Sequence, residues 1–192
     1  MAKKKNIIDA VKKIIVRKGI RGITADEIAR EAKVAKGTLY LYFKSKEDIF
    51  ICLLEDFLRE GEVLVEKASG ERAAAVKKLG NFIKYDLKFY EKNVKVFKTL
   101  GTDLGWVSNV LGTEKRKRLM ERHFEIIKSV SKIVAAAIKE KSVRKMEPME
   151  GAVVLVSIIH AYVGMRIHGF ENTPLHSHAG KILKLYMAGV GR

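Results

Sequence analysis

The stretch TADEIAREAKVAKGTLYLYF, residues 24–43, decides the fold. It opens on Thr24-Ala25-Asp26-Glu27, the pattern of a capping box. The Thr24 hydroxyl is placed to accept from the Glu27 amide, and Glu27 can reach back to the Thr24 amide. The acidic pair also suits the positive end of a helix dipole. A short helix over about Ala25 to Ala32 follows, with Ile28, Ala29 and Ala32 turned inward. Lys33-Val34 reads as a tight turn. The next helix runs from about Ala35 to Tyr42, with Leu39 and Phe43 an i,i+4 apolar pair for the core. Two short helices joined by a tight turn are the helix-turn-helix arrangement, whose second helix enters the DNA major groove.

Once Leu39 and Phe43 are assigned to the core, Lys36, Thr38, Tyr40, Leu41 and Tyr42 remain as a basic, hydroxyl-bearing surface. Gly37 near the helix start lets backbone amides approach a phosphate. Tyrosine hydroxyls donate to phosphate oxygens, and Thr38 and Leu41 suit base edges or a thymine methyl. Lys44 and Lys46 extend the basic run beside a fourth helix that Ser45 caps. The competing reading is an ordinary three-helix head, but aromatics interleaved with lysines are unusual on a plain surface.

Upstream, Ile7, Ile8, Val11, Ile14 and Ile15 share one face of a first helix, and Gly19 offers its stop. The whole chain of 192 residues carries a formal charge of +16. Residues 1–46 hold 13 Lys and Arg against 4 Asp and Glu, so more than half of the excess sits in about a quarter of the chain. A protein this basic usually meets a polyanion, either nucleic acid or an acidic membrane surface. The N-terminus has no signal-peptide apolar core before Asp9, and the uncharged run Gly151 to Met165 is short for a membrane span. The expectation is a cytoplasmic protein with no membrane partner.

Residues 24–50 resemble the head of TetR/AcrR-family regulators, whose usual string is close to AGVSKGTLYHYFxSKExL. The likeness is specific over roughly residues 7–55 and does not extend to the body. It implies an all-α homodimer, usually a repressor released by a small ligand. By matched position it implies DNA contacts from Thr24, Lys36, Gly37, Thr38, Tyr40, Tyr42 and Lys46. Three positions depart from the string: Lys33 stands where a turn glycine is common, Ala35 where serine is common, and Leu41 where histidine or tyrosine is frequent.

The remainder also reads as helical. Helices are expected over 45 onward, Arg72–Tyr90, Val94–Leu100, Glu114 to about Lys141, Pro148–Ile167 and from Thr173-Pro174 to the end, with a loop over Gly101–Trp106. The expected fold is therefore all-α with about nine helices. A DNA-binding domain over 1–46 precedes a ligand-binding and dimerisation domain over 47–192. The family resemblance implies a ligand cavity in the body, and apolar walls with a few polar anchors fit a hydrophobic or amphipathic effector. Candidate ligand residues are Phe82, Tyr85, Phe89, Trp106, His123, Phe124 and His160, with Asn109 and Arg166 as further anchors; plain core packing is the alternative for each. The nearly all-round apolar stretch 152–167 calls for cover, so the last two helices are expected to form the homodimer contact. Cys52 reads as a small buried residue, and His168, His176 and His178 have no specific metal spacing. Catalytic residues, metal ligands and cofactors are not expected: no phosphate-loop, zinc-protease or nucleophile-elbow string occurs. The open alternatives are an activator or ligand-independent regulator, and a helical-bundle carrier or enzyme.

Overall fold

The computed structural model describes the backbone of residues 2–102 and 104–191, and the side chains of residues 3–45, 47–101 and 112–191. Among the described residues the fold is all-helical: α1 (Ala2–Lys18), α2 (Ala25–Glu31), α3 (Lys36–Tyr42), α4 (Lys46–Gly70), α5 (Ala75–Thr102), α6 (Leu104–Lys139), α7 (Pro148–Ile167) and α8 (Ala179–Val190). A single 3-10 turn, Leu175–His178, leads into α8. One isolated antiparallel bridge joins Val143 to Gly191.

Two compact units make up the chain. One comprises Met1–Phe57 and Lys95–Leu119, the other Leu58–Val94 and Met120–Arg192. The expected boundary at residue 46 is thus not where compactness changes. The first three turns of α4 belong with the head because Ile49, Phe50 and Leu53 are buried there.

In the first unit, Ile7, Ile8, Val11, Ile14 and Ile15 are all buried, as their spacing predicts. α1 stops where Gly19 takes φ +82, and the Gly19 amide donates to the Ile15 carbonyl at 2.9 Å. α1 packs on α2 and α2 on α3, with Ile28, Ala29, Leu39 and Phe43 buried. The Ser45 hydroxyl accepts from the Asp48 amide at 3.1 Å, capping α4 as expected. Lys12 reaches Asp56 at 3.0 Å and lies 4.7 Å above the Phe57 ring.

Lys33 has the left-handed backbone, φ +54, that its family-string glycine would supply without strain. The Val34 amide donates to Ala29 at 2.9 Å and the Lys33 amide to Arg30 at 3.2 Å, so α2 ends in a Schellman turn with Lys33 at its C′ position. A side chain there costs roughly 1 kcal/mol. Lys33→Gly is expected to raise the melting temperature by about 2–4 °C in thermal unfolding; an unchanged or lower value would mean that the lysine is not strained.

The second unit has its core in α5, α6, α7 and α8, around Leu79, Phe82, Ile83, Leu87, Val130, Val134, Leu155, Ile159 and Ile182. Pro148 is the first residue of α7, where its missing amide proton costs nothing. α7 is long and apolar enough by composition to cross a membrane, and one face of it, with Gly151, Ala152, Leu155, Val156, Ile159 and Val163, is buried inside this unit. Two expectations are corrected. The helices expected over 72–90 and 94–100 are one helix, α5, which runs to Thr102. The loop expected over Gly101–Trp106 is absent from the described residues, because α6 begins at Leu104. Asp103, between α5 and α6, lies outside the described residues, and α6 is interrupted further on at Gly112, with φ 59 and ψ 170. Among the described residues eight α-helices are traced, α6 being interrupted at Gly112, in keeping with the all-α expectation of about nine.

Candidate nucleic-acid interface

The capping box is complete. The Glu27 amide donates to the Thr24 hydroxyl at 3.3 Å, and the Thr24 amide donates back to the Glu27 carboxylate at 3.0 Å. Thr24 also donates its hydroxyl proton to Glu27 at 3.0 Å, so this predicted DNA contact has both donors committed within the protein. Lys18 hydrogen-bonds the same carboxylate. That bond first, and the Thr24 amide second, hold Glu27 well below the usual carboxylate range, at about 2. A depressed carboxyl stabilises the fold above its unfolded value, and that contribution is lost as pH falls through the folded one. The box is therefore intact at neutral pH and lost between about pH 4.5 and 2.

This box fixes the start of α2, and the Schellman turn at its end aims α3. α3 buries Leu39 and presents the rest. Tyr40 is 53% exposed, Tyr42 42% and Leu41 85%; Gly37 is exposed and Thr38 half-buried. Lys36 is exposed but not free: its ammonium sits 2.8 Å from Asp26, which lies in the first turn of α2. That contact raises the Lys36 pKa. Ala35 makes no side-chain cap, as expected from the missing serine hydroxyl. Lys46 opens α4, and its side chain lies outside the described residues. The structure thus brings Lys36, Gly37, Thr38, Tyr40 and Tyr42 onto one short helix, with Thr24 at the start of the helix before it. Asp26, which the sequence reading used only for the helix dipole, proves to be the partner of the leading cation.

The second unit contains a half-buried polar cluster. The Tyr90 hydroxyl lies 3.1 Å from Nε2 of His160, and the His123 and His160 rings stack at 5.7 Å between centroids. Burial, and then the neighbouring His123, push His160 down to about 4; burial also lowers His123. Both are therefore neutral at physiological pH. Asp86, one turn before Tyr90 on α5, is buried, and desolvation pushes it up to about 7. Tyr90 is raised by burial and by Asp86.

The seven candidate ligand residues divide among several places. Phe82 is in the core. Tyr85 and Phe89 line an open groove of about 260 Å³ with Glu60, Leu64, Lys88 and Lys92. His123 and His160 stack, Phe124 is 52% exposed, and the side chains of Trp106 and of the further anchor Asn109 lie outside the described residues. Arg166 pairs with Glu91 at 3.1 Å. Sequence reasoning missed Asp86 and the role of Tyr90. The signal was present: Phe82, Asp86, Phe89, Tyr90 and Asn93 recur at helical spacing, which places a carboxylate on an apolar face.

Residues 7–52 match the family model described as bacterial regulatory proteins, tetR family. A fatty acid metabolism regulator protein of Bacillus subtilis (strain 168) is 41% identical over 73 residues, 38% of each chain. The chain thus aligns to well under two thirds of that relative's length. Among solved structures, the fatty acid degradation regulator FadR of Bacillus halodurans is similar at a TM-score of 0.79 and 19% identity, covering 96% of this chain and 98% of that one. FadR of Bacillus subtilis, solved in complex with stearoyl-CoA, is similar at 0.74 and 22% over the same shares. At such identities the structural likeness speaks for the fold. Residues 7–52 thus carry the helix-turn-helix pattern of the tetR family of bacterial regulatory proteins, and the fold is similar to that of solved regulators along nearly the whole length.

Proposed function

We propose that this protein is a cytoplasmic transcription regulator, most simply a repressor, that binds a pseudo-palindromic operator as a homodimer. The carrying observation is the face of α3, where Lys36, Tyr40 and Tyr42 are exposed on a short helix held by caps at both ends of α2. Lysine and tyrosine hydroxyl groups suit phosphates flanking a groove. A two-fold dimer presents two such helices about one DNA turn apart, or a multiple of it. Val153, Val154 and Met165 on α7 and Leu185 on α8 are exposed apolar side chains, which supports pairing through the last two helices.

The body is read as the effector site. Its likeness to regulators of fatty acid metabolism, one of them solved with stearoyl-CoA, supports a long-chain acyl thioester. The groove flanked by Lys88, Lys92, Tyr85 and Phe89 offers cations beside apolar surface, as an amphipathic anion requires. Stearoyl-CoA is then expected to raise the melting temperature and to weaken operator binding together, since the two affinities are reciprocally coupled. If it does neither, the acyl thioester reading is lost and the DNA reading stands.

The DNA reading is tested by titrating duplexes at several salt concentrations. Lys36→Ala is expected to weaken binding to all sequences and to reduce the salt slope by about 1. Asp26→Asn releases Lys36 and removes a negative charge from the same face, so it is expected to tighten binding and steepen the slope. Equal slopes in all three proteins would place Lys36 away from phosphate. No duplex preference at any salt would favour a helical-bundle carrier instead.

A further inference from the structure

The centre of the outward face of α3 has no hydrogen-bonding side chain. At about 100° per residue, Gly37 and Leu41 both lie within about 20° of the direction opposite the buried Leu39, one turn apart. Lys36 and Tyr40 fall to one side of that line, Thr38 and Tyr42 to the other. Leu41 is the most exposed large apolar side chain among the described residues, at 85%. Gly37 is bare, and a Cβ built on it would meet nothing within 4 Å. Helical side chains lean toward the helix N-terminus, so Leu41 leans over the Gly37 turn.

A leucine at the floor of a major groove meets donors, acceptors or the C5 methyl of thymine. Against a donor or acceptor it would leave a base edge unpaired and dehydrated, which costs affinity. Only the methyl rewards it. The flanking lysine and hydroxyl groups complement phosphates rather than an apolar protein surface, so duplex DNA is the occupant that fits the whole face.

We propose that Leu41 is a specificity-determining residue that reads a thymine methyl, with Gly37 giving the clearance for its approach. This rests on the reading of α3 as the recognition helix. The test begins by selecting bound sites from random duplex DNA with the full-length protein. Each thymine of the selected operator is then replaced by deoxyuracil, which removes only the methyl. One symmetry-related position is expected to lose affinity by about fourfold per half-site, the loss from one unburied methyl. Leu41→Ala, at an exposed position that leaves folding unaffected, is expected to bind thymine and deoxyuracil operators equally there. A wild-type protein indifferent to the methyl at every position, or a Leu41→Ala protein that keeps the same dependence, overturns the proposal while the DNA reading survives. Failure to select any preferred duplex overturns both.

Discussion

Gly37→Ala is expected to stabilise the protein by about 1 kcal/mol and to weaken operator binding at least about tenfold. A glycine inside a helix normally costs that stability relative to alanine, because it loses more backbone freedom on folding. A fold tolerates the cost where a turn needs a left-handed backbone or where another part of the protein comes too close for a Cβ. Neither holds at Gly37: it has no positive φ, and the space around it is open. The fold gives no reason for a glycine at an exposed position of α3, so the reason lies with what approaches that face. Thermal unfolding and duplex titration of one variant read the two effects separately, and they are expected to move in opposite directions. An affinity equal to wild type would show that the α3 backbone does not come near DNA at Gly37.

The head was legible because its signals are local. The Thr24 box, the Gly19 stop, the Ser45 cap and the isoleucine face of α1 each involve residues within a few positions of one another, and each is present in the structure. Lys33 was readable as a departure, though not its answer, which is a strained backbone held by two hydrogen bonds. The body was less legible. Gly101, Thr102 and Gly105 look like punctuation, yet all three have helical backbone, since a glycine is tolerated inside a helix, and α6 is interrupted at Gly112. The polar cluster was out of reach for another reason. Tyr90, His123 and His160 stand on three helices, and only tertiary packing brings them together.

Asp86→Asn is expected to stabilise the protein by about 2–4 kcal/mol at pH 8 and by little at pH 4. The carboxyl is raised by burial from 3.8 to about 7, and about three pKa units correspond to roughly 4 kcal/mol. An amide still buries a polar group, which takes back part of that gain. The sign follows from proton uptake. Between the unfolded and folded values the native state holds a proton that the unfolded chain has lost, so stability falls as pH rises through this window. His160 and His123 act in the opposite sense, because their lowered values make the native state lose stability as pH falls below the unfolded value. The difference between variant and wild type cancels the histidines and isolates Asp86. Urea unfolding at pH 4, 6 and 8 would read it; a pH-independent difference would mean that Asp86 is ionised at its ordinary pKa. The size of the expected gain bears on function. A core rich in leucine, isoleucine and valine keeps a carboxyl one turn before Tyr90, whose hydroxyl meets the His160 ring. Groups that cost stability concentrate where a protein binds or switches. If Asp86→Asn is more stable and also loses its DNA release by stearoyl-CoA, the cluster is part of the effector response. If release is unchanged, the carboxyl is a cost of the fold alone, and the effector site lies with the Tyr85–Phe89 groove instead.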